Sequence, residues 1–192
     1  MRSSAPANVA TINPDEFLAR LQPVLSSGNL QHALECVQGC WTPCQIAALL
    51  QDSSADVRKL AALALSLVGG RPAIRPLAVA LHDSDLMVTQ VAEHALWNIW
   101  FRLGKPQAIR LVQCGSHHLQ HNNPCCAIER FTHAIQEDPT FAEAYNQRAI
   151  AWYLSDHFCK AIADCKSTLA LLPQHFGAMA GMGHCHAHLC QW

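Results

Sequence analysis

One register recurs every 34 residues through the second half of this chain, and it constrains the fold more than any other feature. Ala127-x3-Phe131-x2-Ala134-x4-Pro139 returns as Ala161-x3-Cys165-x2-Thr168-x4-Pro173. Leu111, Tyr145 and Met179 keep the same spacing, as do Gly115, Ala149 and Gly183, and His118, Trp152 and His186. A fixed period of this length marks an array of helix–turn–helix units, each of which buries its apolar face only against the next. The predicted fold is all-α, a helical-repeat solenoid of helix pairs. Such arrays work by presenting an extended surface.

Composition narrows the partner. Hydrophobic residues make up 51% of the 192 residues and charged residues 14%, against roughly 25% charged in an average globular domain. A shell this poor in charge implies surfaces meant to be covered, or simply limited solubility. The net charge of -1 gives no basis for binding a polyanion, so no nucleic-acid partner is expected. No uncharged apolar stretch reaches membrane-spanning length, the richest being 60–70, and residues 1–14 lack the apolar core of an export leader. The ten cysteines fall inside helical patterns and not at the loop spacings of a disulfide framework. Free thiols in a reducing cytoplasm are expected.

Residues 1–12 are small and polar and read as a disordered N-terminus. Asn13-Pro14-Asp15-Glu16 is a helix start, with a capping Asn, Pro at the first helical position and acids at the positive end of the dipole. That helix is predicted to reach about Ser26, and a second to run from about Asn29 to Val37 and stop at Gly39. Together, residues 13–42 form an N-terminal helical cap. From Pro43 a 31-residue period begins: Asp52 returns as Asp83, Val57 as Val88, Ala61 as Ala92, and Ala64-Leu65 as Ala95-Leu96. Each unit has a short apolar helix, an acidic turn and a longer helix with apolar residues at i, i+3, i+4 and i+7. Over about residues 43–103 this resembles HEAT repeats, in particular the short bacterial kind first noted in phycobilin lyases.

Gly104-Lys105-Pro106 ends the second unit and opens the next helix, a boundary between arrays. Residues 107–192 then resemble tetratricopeptide repeats. Tyr145, Ala149 and Trp152 take the family's large, small and aromatic positions on helix A, and Ala161 and Pro173 the small residue and closing proline of helix B. The unit at about 108–141 has His118 in place of the usual aromatic, and the last unit, from Phe176, is incomplete. The stretches 142–149 and 175–181 are similar to those of small bacterial tetratricopeptide proteins, which implies a bacterial origin.

The resemblance implies a concave wall of A helices, so Asn146, Gln147, Ile150 and Tyr153 are candidates to touch a partner segment. Packing between repeats is the other reading of Ile150 and Tyr153. The family's carboxylate clamp needs cations that Val112, Ser116, Gln147, Gly177 and Gly181 do not supply, so chaperone-tail binding is not expected. Trp97 and Trp100 lie off the apolar stripe of their helix and form a second candidate anchor, since Trp is enriched at hot spots. Their alternative is packing against the first tetratricopeptide helix.

Two clusters suggest metal chemistry: Cys114, His117, His118, His121, Cys125 and Cys126 within 114–126, and His184, Cys185, His186, His188 and Cys190 within 184–190. His184 with His188, and His186 with Cys190, are spaced for one helical face. Neither cluster carries paired CxxC knuckles, so Cys as a small core residue and His at half-buried sites is the competing reading. Cys36, Cys40 and Cys44 have helical spacing, but Gly39 and Pro43 are expected to interrupt a helix through them. Glu93-His94 resembles the iron-holding His-Glu pairs of deoxyhypusine hydroxylase in reversed order and occurs once, too little for an iron site. No phosphate loop and no G-x-S-x-G elbow is present.

The sequence therefore points to a non-enzymatic cytoplasmic scaffold or adaptor that binds a protein or peptide segment, with no cofactor and no membrane. The alternative is a metal-binding or metal-responsive protein using the two His/Cys clusters. A chromophore-lyase accessory protein is a third reading, by analogy of fold alone. Met179, Met182, Ala187, Leu189 and Trp192 leave the last helix apolar. That predicts a homodimer there, a second protein completing the repeat, or a chain cut from a longer one.

Overall fold

The structure is a computed structural model, and it describes residues 11–26 and 28–189. The segment expected to be disordered lies up to residue 10 outside these, as do Cys190 and Trp192. Among the described residues there are eleven α-helices and no strand. The chain divides into two compact units, the first ending at Ile99 and the second beginning at Trp100.

The first unit contains α1 (Pro14–Ser26), α2 (Leu30–Cys40), α3 (Pro43–Ala48), a 3-10 turn at Leu49–Gln51, α4 (Ala55–Val68), α5 (Arg71–Ala80) and most of α6 (Leu86–Arg102). Asn13 Oδ1 accepts from the amides of Asp15 (2.9 Å) and Glu16 (3.3 Å), the cap foreseen for α1. Helix α2 runs past Gly39 to Cys40, where the Trp41 amide closes it on the Val37 carbonyl. A mid-helix glycine costs only about 1 kcal/mol and does not by itself end a helix. The break comes at Thr42, whose capping box with Gln45 starts α3. Both α1 and α2 pack on α4, burying Phe17, Leu21, Ala33 and Val37 in the same core as Ala61 and Leu65.

The 31-residue period is realised in the backbone. The Asp52 amide bonds to the Leu49 carbonyl and the Asp83 amide to that of Ala80; Asp52 Oδ1 holds the Ser54 amide at 2.8 Å, and Asp83 Oδ1 that of Asp85 at 2.9 Å. Arg58 ties one turn to the next. Its Nε and Nη2 donate to the two Asp83 oxygens at 2.7 Å each, and its Nη1 to the carbonyls of Asp52 and Ser53. The Arg58 hydrogen bonds hold the Asp83 carboxyl below its usual range, against partial burial and with help from the Asp85 amide. A depressed folded value stabilises the fold above the unfolded carboxylate range, near about pH 4, and that stability is lost as pH falls through the folded value. Urea unfolding at stepped pH should show this acid-side loss, and Asp83→Asn should reduce it while costing about 1–3 kcal/mol at neutral pH.

The second unit holds the end of α6 and α7 (Pro106–Gln120), α8 (Pro124–Glu137), α9 (Ala142–Tyr153), α10 (Phe158–Leu171) and α11 (Phe176–His188). From α7 to α11 each helix packs on the next, and α9 also touches α7 and α11. The 34-residue period reappears as geometry. Asn122 and Asp156 both turn at positive φ (55° and 58°) between the helices of a pair, a conformation that Asn and Asp tolerate best after Gly. The amides of Asn123 and His157 close on the carbonyls of His118 and Trp152, each at 2.9 Å. Phe141 and His175 occupy matching N-caps, bonding back to Asp138 and Leu172.

Within the pairs, small residues meet large ones. A Cβ on Gly115 would lie 2.4 Å from the Phe131 ring, which is itself fully buried. At the matching position of the last helix, Gly183 is exposed, and among the described residues nothing lies within 4 Å of where its Cβ would be. Gly115→Ala should therefore destabilise by about 1–3 kcal/mol through overpacking, while Gly183→Ala should be neutral or stabilise by up to about 1 kcal/mol through helix propensity. Thermal unfolding of the two variants side by side measures the contrast.

Candidate functional site

The second unit carries an open, apolar groove of about 220 Å³ between α9 and α11. Asn146, Ala149, Ile150 and Tyr153 line it from α9; Gly177, Ala180, Gly181 and His184 line it from α11 at matching helical spacing. Cys165 of α10 and Cys185 complete its lining. Burial chiefly, with the neighbouring Cys185 and Asp164 adding, pushes the Cys165 thiol up to about 12, and burial raises that of Cys185 as well. Both stay protonated and behave as small apolar residues, inert as nucleophiles.

At the N-terminal end of these helices, a buried carboxylate holds the arrangement. Glu143, with no exposure, accepts from Asn146 Nδ2 (3.1 Å) and Gln147 Nε2 (2.7 Å) on one oxygen and contacts His175 Nε2 (2.9 Å) on the other. His175 Nδ1 accepts the Ala178 amide at 3.1 Å, which assigns the ring proton to Nε2 and makes that nitrogen the donor to Glu143. The carboxylate thus fixes α9 to the first turn of α11, 32 residues away. Trp100 covers the pair, its ring stacked on His175 with centroids 4.0 Å apart and tilted against Phe176 at 4.9 Å.

The opposite end is fixed by rings. Tyr153 Oη lies 2.9 Å from His188 Nε2, and Phe158 stacks on the same imidazole at 4.7 Å. Between the ends, Arg148 braces the back of α9. Its guanidinium donates to both oxygens of Asp164 on α10 (2.7 and 2.8 Å) and to Thr132 Oγ1 on α8 (3.1 Å).

The structure gathers three of the sequence candidates in the groove: Asn146, Ile150 and Tyr153. Ile150 is 39% exposed, whereas Asn146 is 2% exposed and reaches the groove only by an edge. Gln147 is turned to Glu143 and does not line it. Trp97 is half-buried in the first unit. Trp100, a candidate anchor whose alternative is packing on the first tetratricopeptide helix, is corrected as an exposed anchor. It has no exposed surface and lies on the start of α11, because the end of α6 brings its ring over His175. Glu143 and His175 escaped the sequence reading; the available signal was a carboxylate three and four residues ahead of two amides on one helix.

Metal ligation gains no geometric support among the described residues, where no three His, Cys, Asp or Glu side chains gather as a ligand set. His184 is exposed at the groove, His186 is half-buried, and His188 is engaged by Tyr153 and Phe158; Cys190 lies outside the described residues. In the other cluster, the rings of His117 and His121 lie 4.2 Å apart, with His121 Nδ1 2.8 Å from the His117 carbonyl, while Cys114 and Cys125 are exposed. No helix of the described residues is long and apolar enough to cross a membrane.

No family model matches the chain. Among curated proteins it is similar to the human Protein SGT1 homolog, 35% identical over 85 residues, which is 44% of this chain and 23% of that protein. The bovine Protein SGT1 homolog is 35% identical over 81 residues, 42% of this chain and 24% of that protein. A TPR repeat-containing protein of Rhizobium etli is 28% identical over 83 residues, 43% of this chain and 41% of that protein. The chain therefore spans between about a quarter and two fifths of the curated relatives it matches. These likenesses agree with tetratricopeptide-like helical repeats in this chain.

Proposed function

We propose that the chain is a cytoplasmic, non-enzymatic adaptor whose second unit docks an apolar protein segment in the groove between α9 and α11. The observation that carries this reading is the groove itself, open and apolar, with one end held by the buried Glu143–His175 contact and the other by the Tyr153–His188 contact. Preorganised walls spare a ligand the cost of ordering its site. Among the described residues no lysine or arginine lines the groove, so side-chain burial and not a charged terminus supplies the affinity. The similarity to a TPR repeat-containing protein supports a protein partner. In the first unit, the recurrence of the Asp52 turn at Asp83 supports a HEAT-like reading of residues 43–103.

Gly181 provides the test. A Cβ there would sit 3.5 Å from Cys165 Sγ, an ordinary contact, so a side chain fits at its root and Gly181→Leu adds bulk at the groove. Peptides selected from a displayed random library against the wild-type chain are expected to carry apolar anchors. They should bind the Gly181→Leu chain at least about ten-fold more weakly, a loss of about 1.4 kcal/mol. Equal binding by the two chains, measured by calorimetry, sinks the proposal.

A further inference from the structure

Cys36 and Cys40 lie one turn apart on α2, which continues through Gly39 to bring them onto the same side. The Cys36 thiol is hydrogen-bonded to Cys40, and Arg20 of α1 donates from Nη1 to the Cys40 sulfur at 3.6 Å. Arg20 is held in place by Glu16, whose carboxylate is 2.8 Å from its other terminal nitrogen. Cys40 is exposed and Cys36 is half-buried, so the pair is open to solution from one side.

We propose that Cys36 and Cys40 form a two-thiolate site for a soft monovalent cation of the Cu(I) type. Thiolates select soft ions, and Cu(I) accepts two of them without needing a fixed polyhedron. Structural zinc takes four ligands, and no set of three gathers here among the described residues. Charge separates the candidates further. Two thiolates around a monovalent ion leave one net negative charge, which the Arg20 guanidinium, shared with Glu16 but turned to the Cys40 sulfur through Nη1, offsets in part. A divalent ion between the same sulfurs is neutral and gains little from that cation. Loading releases one proton from each thiol, forms two metal–sulfur bonds and changes no oxidation state.

The test uses the full chain, reduced and kept under inert gas, with Cu(I) supplied as its acetonitrile complex against a chromogenic chelator. The tightest equivalent should disappear in Cys36→Ser/Cys40→Ser and persist in the control Cys125→Ser/Cys126→Ser. X-ray absorption of the one-equivalent sample should show two sulfur neighbours. Arg20→Gln should weaken that equivalent roughly ten-fold, as outer-shell partners of metal sites commonly do. Circular dichroism establishes that each variant keeps its helices. Cys40→Ser alone, at an exposed position, serves should the double variant fail to fold. A tightest equivalent retained without Cys36 and Cys40, or lost equally from the control, overturns the assignment.

Discussion

Replacing Arg148 with alanine is expected to lower the unfolding free energy by about 3–5 kcal/mol, because it strands a buried partner charge. The Asp164 side chain is only 8% exposed and that of Arg148 19%, so little water is available to take over the lost bonds. The guanidinium joins three consecutive helices, through Asp164 of α10 and Thr132 of α8. Asp164 in turn raises the affinity of Arg148 for its proton, chiefly through their hydrogen bonds. The double replacement Arg148→Met/Asp164→Leu should recover much of the loss, since an apolar pair carries no desolvation cost. Chemical unfolding followed by helical circular dichroism measures both. A single variant within about 1 kcal/mol of wild type, the level of an exposed pair, contradicts the account.

The second large effect belongs to Glu143. Glu143→Ala leaves the Asn146 and Gln147 amides and the His175 N–H without their acceptor inside the fold, at an expected cost of about 3 kcal/mol. Glu143→Gln should cost less, about 1–2 kcal/mol, because the neighbouring amides are able to flip and restore part of the network. The loss should also reach the groove. With the tie between α9 and the start of α11 gone, hydrogen exchange should quicken across the first turn of α11, at Ala178 and Met179, ahead of the rest of the helix. Unchanged exchange there would show that Trp100 and Phe176 hold the turn alone.

The repeat was legible in the sequence because it is written in size. Gly115 opposite Phe131 must be small, and a residue between paired helices must tolerate positive φ, so Asn122 and Asp156 recur in step. Burial of polar groups follows no such period. Glu143 is indistinguishable from a solvated first-turn acid until His175, 32 residues on, is folded against it. The burial of Trp100 is hidden in the sequence for a related reason. Its distance from the stripe of α6 fits either an anchor or packing on another helix, and the start of α11 supplies a second apolar surface that no single-helix pattern encodes. The thiol pair on α2 was hidden by treating Gly39 as a stop, although capping at Thr42 decides where the helix ends.

The central claim is that α9 and α11 form the docking groove, and amide chemical-shift mapping tests it most directly. A selected apolar peptide titrated into isotope-labelled chain should shift Ala149, Ile150, Ala180 and Gly181, which line the groove. Residues of α7 and α8 away from it, such as Gln113 and Glu129, should stay in place. Shifts confined to other surfaces, with Ile150 and Gly181 unmoved at saturation, would contradict the claim.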